Sequence, residues 1–148
     1  MTHADLAEKY FREGYNCSQA VLLAFEDVTG LERDTAARLS SSFGGGLGRM
    51  REVCGAVSGA AMVLGLAKGY SDPGNAEQKR SHYHLIQEFA RRFKEKNGSI
   101  ICRELLSGTG AAPGNDPEAR TEEYYKKRPC PQIVRQAADI LDNMLKIN

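Results

Sequence analysis

Apolar residues recur along this chain at intervals of three and four, whereas the apolar/polar alternation of half-buried strands is missing. The pattern predicts an all-α protein. Leu6, Ala7, Tyr10 and Phe11 share one face of a first helix over Thr2 to about Arg12, which Gly14 interrupts. Asn16 suits the cap of a second helix bearing Cys17, Ala20, Val21, Ala24 and Phe25 on one face. Asp34 is placed to cap a short helix that runs to Ser42, and four of the six residues from Phe43 to Gly48 are glycine. A Gly/Ala-rich helix from about Glu52 to Ala67 follows and is expected at the centre of a multi-helix bundle. A long amphipathic helix from Ala76 to about Lys96 places His82, Ile86, Phe89 and Phe93 along one stripe. Ser99 suits the cap of a short helix from Ile100 to about Leu106, and Ser107 to Pro117 reads as a surface loop. The last helix starts around Cys130 and Pro131 and runs to about Lys146, burying Ile133, Val134, Ala137, Ile140, Leu141 and Met144.

The chain has 148 residues, no internal repeat and no long linker, so residues 1–148 fit one domain, large enough to form a core without cross-links. Twenty basic and nineteen acidic residues nearly cancel. That balance points to neither nucleic acid nor an anionic membrane as partner. The longest uncharged run, Val53 to Ala67, has 15 residues, short of the roughly 17 to 25 that a spanning helix needs. The charged start of the chain does not read as an export signal. A cytoplasmic protein is therefore expected, where thiols are kept reduced and cysteines serve catalysis, metal binding or packing before structural disulfides.

The four cysteines, Cys17, Cys54, Cys102 and Cys130, are 37, 48 and 28 residues apart, so any shared site must be assembled by folding. Each falls at the start of an expected helix and at the head of its apolar stripe. Cys17 precedes Ala20 and Val21, Cys54 precedes Val57 and Ser58, Cys102 precedes Leu105 and Leu106, and Cys130 precedes Ile133 and Val134. A helix N-terminus favours thiolate over thiol. Arg49, Arg51, Arg103, Lys126, Lys127 and Arg128 lie near three of the four and push the same way, while Cys17 has no such neighbour in sequence. Cysteine on an apolar face also packs as a small inert hydrophobe, so a helical interaction module with its cysteines in the core is a competing reading.

Other motifs weigh less. The glycine stretch has neither the spacing nor the Lys-Ser/Thr ending of a phosphate loop, so no nucleotide is expected; it is read as letting the backbone pass near Cys54. Gly55 and Gly59, four apart, point to close approach of another helix. His82 and His84 face different ways, and His82 is expected as a hydrogen-bonded core histidine. Without a Cys-x-x-Cys-His segment the chain carries no covalent haem.

Residues 54 to 59 spell Cys-Gly-Ala-Val-Ser-Gly, flanked by a Gly-Tyr-Asn-Cys-Ser-Gln-Ala segment over residues 14 to 20 and by single cysteines on either side. In these motifs the chain resembles the prokaryotic C_GCAxxG_C_C family of redox-active proteins, over most of its length. The resemblance implies a redox role for Cys17, Cys54, Cys102 and Cys130. Thiol/disulfide exchange or electron transfer with a redox partner protein is expected, with Cys54 as attacking thiol and a second cysteine resolving. The alternative is a metal centre on all four thiolates, either a [2Fe–2S] cluster or a structural zinc.

Overall fold

The computed structural model describes residues 1–146. Over these the chain is helical: α1 (His3–Arg12), α2 (Cys17–Ala24), α3 (Glu26–Thr29), α4 (Arg33–Ser41), α5 (Gly55–Lys68), α6 (Ala76–Asn97), α7 (Cys102–Leu105), α8 (Glu122–Lys127) and α9 (Cys130–Leu145). The only extended pairing among the described residues is a single antiparallel bridge between Val53 and Ile101. None of the helices is long and apolar enough to cross a membrane.

Local chemistry explains the first two helices. Thr2 and Asp5 form a reciprocal capping box for α1, and Asn16 and Gln19 do the same for α2. Ala4, Ala7, Tyr10 and Phe11 form the buried face of α1. In α2 the run Ala20–Ala24 and Ser18 are buried all round, so this helix sits inside the bundle. It packs against α1, α4, α5 and α9 and shares the centre with the Gly/Ala-rich α5. Gly55 and Gly59 make that contact possible. A Cβ at Gly59 would stand 2.6 Å from the Ser18 carbonyl oxygen, and one at Gly55 would stand 3.1 Å from the Ser18 amide nitrogen. The two backbones therefore meet where the glycine spacing predicts.

Several boundaries differ from the sequence expectation, each for a physical reason. Helix α5 starts at Gly55 and not at Glu52, because Arg51 has φ 62° and Val53 is engaged in the bridge to Ile101. Helix α4 is capped by Glu32, whose carboxylate accepts from the amides of Asp34 and Thr35, and not by Asp34. The one-turn α3 and the Thr121-capped α8 were not foreseen; both are too short to show periodicity. Along α6 only Phe89 and Phe93 are buried. His82 is a partly exposed residue standing edge-on to Tyr70, and its Nδ1 has no partner among the described residues, so it is not the hydrogen-bonded core histidine expected. Arg91 and Arg92 pair with Glu88, and Arg91 with Glu95, on the solvated face.

Candidate functional site: a four-thiol cavity

Each cysteine stands at the start of a helix, as its place in the sequence predicts. Cys17, Cys102 and Cys130 are the first residues of α2, α7 and α9, and Cys54 is the residue that caps α5. Folding brings all four to the wall of one cavity of about 610 Å³. All are free thiols; Cys54, Cys102 and Cys130 are buried and Cys17 is half-buried.

Three local devices hold them there. The Asn16 cap fixes Cys17, and the Asn16 Nδ2 also donates to the Ser41 carbonyl, tying the start of α2 to the end of α4. The bridge aligns Cys54 with Cys102: the Cys54 amide donates to Ile100 O at 2.8 Å and the Cys102 amide to Glu52 O at 2.6 Å. Cys130 lies between Pro129 and Pro131, the latter in the first turn of α9, where a missing N–H costs nothing.

The fourth wall is the glycine stretch. Gly45, Gly46, Leu47, Gly48, Arg49 and Arg51 all have positive φ, between 53° and 73°. Such a run folds the chain back so that Arg51 N–H reaches Gly45 O and Glu52 N–H reaches Gly46 O. A Cβ at Gly46 would stand 2.7 Å from the Cβ of Cys102, and one at Gly55, next to Cys54, 2.9 Å from Phe43 O, so the stretch packs against Cys102 as well as beside the start of α5. Leu47, Arg49 and Arg51 are L residues in this left-handed region, a strain of about 1 to 3 kcal/mol apiece that the surroundings must sustain.

Burial and charge divide the thiols. The expectation that helix starts and basic neighbours would acidify them together does not hold. Burial pushes Cys54 from an ordinary 9.0 up to about 12, outweighing the amides of Ala56 and Val57 that donate to its sulfur. Cys102 is also raised by burial, against the Arg51 guanidinium, whose Nη1 lies 3.7 Å from its sulfur. Cys130 alone is lowered: a hydrogen bond from the Cys17 thiol is the first cause, and Arg128, Arg120 and Arg51 add to it. The same hydrogen bond and burial raise Cys17. Of the four, Cys130 is therefore the thiol whose ionisation its surroundings favour, and Cys17 the neighbour that stays protonated beside it.

The family is decided by a match to the family model described as Putative redox-active protein (C_GCAxxG_C_C), over residues 15–144. The chain belongs to the C_GCAxxG_C_C family. Its cysteines are those gathered in the cavity, and the resemblance drawn from the motifs is thereby confirmed. The C_GCAxxG_C_C chain has no match among curated proteins or solved structures.

A tetrahedral zinc needs its ligands on one ion. Among the described residues no group of three or more His, Cys, Asp or Glu side chains is placed to hold a metal ion, so the metal-centred alternatives draw no support from this donor set. Of the basic residues flagged near the cysteines, Arg49, Arg51 and Arg128 line the cavity, whereas Arg103 pairs with Glu52 at the surface. Sequence reasoning missed Arg120 and Glu118, which also line it. They lie just past the Ser107 to Pro117 loop, in residues that the pattern assigns to no element, and neither has a cysteine within nine residues to draw attention to it.

Proposed function

We propose that this protein is a thiol/disulfide redox protein whose working couple is Cys130 and Cys17. The observation that carries the reading is the gathering of four free thiols on the wall of one cavity that Arg51, Arg120 and Arg128 also line, where these guanidinium groups and the neighbouring Cys17 thiol favour ionisation of Cys130. Nucleophilic attack on a disulfide needs a thiolate, and a thiol pinned near pKa 12, as at Cys54, supplies almost none at neutral pH. The attacking role therefore moves from Cys54 to Cys130.

Exchange takes two displacements. The Cys130 thiolate attacks one sulfur of a substrate disulfide; the substrate S–S bond breaks and the first product leaves as a thiolate that takes up a proton. Cys17 then gives up its proton and attacks the Cys130 sulfur, releasing the second product as a thiol. The protein dithiol is oxidised to a disulfide as the substrate disulfide is reduced to two thiols. The dithiol of a redox partner protein restores the couple, in a cytoplasmic setting that keeps resting thiols reduced. Cys54 and Cys102 stay protonated and form the rear wall of the cavity.

Protein purified without oxygen tests this through its metal content, visible spectrum and free-thiol count. Metal-free protein with four thiols before mild oxidation and two after is the expected result. Stoichiometric iron with charge-transfer bands, or four thiols that survive oxidation, would overturn it, the first in favour of electron transfer through a cluster and the second in favour of inert core cysteines.

A further inference from the structure

Three guanidinium groups converge on one oxygen. Oε1 of Glu118 is ion-paired with Arg128, and lies 3.5 Å from Arg49 and 3.7 Å from Arg51. Arg51 and Arg128 are each only 6% exposed, and Arg120 lines the same cavity. Against these four cations the lining offers one carboxylate, that of Glu118. Buried cations are costly unless paired. Arg49 and Arg51 are moreover held at positive φ, a strain that persists where the surroundings impose it. Glu118, by contrast, is an exposed side chain on the loop between α7 and α8.

We propose that this cluster is an anion subsite of the thiol cavity, filled at rest by the Glu118 carboxylate, and that the substrate is a low-molecular-weight disulfide bearing carboxylates. The inference rests on the thiol/disulfide reading above. The cavity volume of about 610 Å³ suits a small molecule, within the roughly 300 to 1,000 Å³ range of such pockets. A substrate carboxylate displaces Glu118 from the arginines, and Arg51 and Arg128, which flank both the subsite and the thiols, set its disulfide against Cys130. Exchange then proceeds as written, with the carboxylate-bearing thiols as products.

Three disulfides of similar length and different charge test this: 3,3′-dithiodipropionate, bis(2-hydroxyethyl) disulfide and cystamine. Each rate of thiol oxidation in the folded protein is divided by that in the urea-unfolded chain at the same pH, which removes intrinsic reactivity. The dianion should exceed the neutral disulfide by about tenfold or more, the usual reach of a charged cleft, and cystamine should fall below it. Arg49→Gln should bring the ratio of dianion to neutral rates towards one, and Glu118→Gln should raise it. In the unaltered protein, adipate, which cannot react, should slow alkylation of Cys130 by neutral iodoacetamide. Equal normalised rates for the three, with no protection by adipate, would overturn the anion subsite while leaving the thiol couple standing. If none of the three oxidises the protein, the thiol/disulfide reading itself falls, and the substrate assignment with it.

Discussion

At Cys130 two opposed forces meet: burial disfavours the thiolate, and the Cys17 thiol with three arginines favours it and wins. The rate of Cys130 alkylation, followed by peptide mass against pH, should therefore have its midpoint below the ordinary cysteine value. Cys17→Ala removes the first of those causes. It should slow alkylation of Cys130 at pH 7 by about tenfold, because a hydrogen bond to a charged group is worth about 1.5 kcal/mol. Cys54 gives a prediction of opposite sign. Its thiol keeps its proton in the fold up to about pH 12, while the unfolded chain releases it near 9.0, so the native state holds more protons and stability falls as pH rises between those values. The loss is on the order of 4 kcal/mol by pH 12, and Tyr124, raised by burial to about 12, adds to it above pH 10. Cys17 and Cys102, also raised, contribute with the same sign, so Cys54→Ala should lessen the decline between pH 9 and 10 in urea unfolding without abolishing it; an unchanged slope would show that Cys54 ionises freely. The sequence made the four cysteines and their helix starts legible, because capping residues and i+3, i+4 neighbours are local signals. It could not rank the thiols, since ranking depends on burial and on arginines brought from distant segments.

The elements that hold the site are short of room at two places. Gly59→Ala puts a methyl group 2.6 Å from the Ser18 carbonyl and must part α2 from α5, at a cost of about 1 to 3 kcal/mol or more. At Gly65, in the same helix, an added methyl group would meet nothing within 4 Å, and Gly65→Ala should stabilise by up to about 1 kcal/mol. Chemical denaturation of the pair measures both, and equal effects would contradict the packing described. Gly46→Ala combines φ 73° with a methyl 2.6 Å from the Glu52 amide nitrogen, and should destabilise by more than 1 kcal/mol while displacing Cys102. The spacing of Gly55 and Gly59 made the helix contact legible in the sequence, since only close backbones require it. The left-handed run through Leu47, Arg49 and Arg51 was not legible, because nothing local favours positive φ at those residue types.

At the scale of the whole molecule the site is a meeting of four segments separated by 37, 48 and 28 residues, and no one segment contains it. The all-α class could be read from periodicity alone. The convergence itself depended on tertiary packing: α2 crossing α5 at two glycines, one bridge joining Val53 to Ile101, and α9 delivering Cys130 beside Cys17. Inert core cysteines need no common cavity and no arginines around them, whereas a redox couple needs both an acidic thiol and a partner within reach. Mapping the bond formed on mild oxidation tests that distinction most directly. Peptide mass analysis of non-reduced protein should show Cys17 joined to Cys130, with Cys54 and Cys102 still alkylatable after unfolding and the bond reversed by dithiothreitol. A bond between any other two cysteines, or four free thiols after oxidation, would contradict the account.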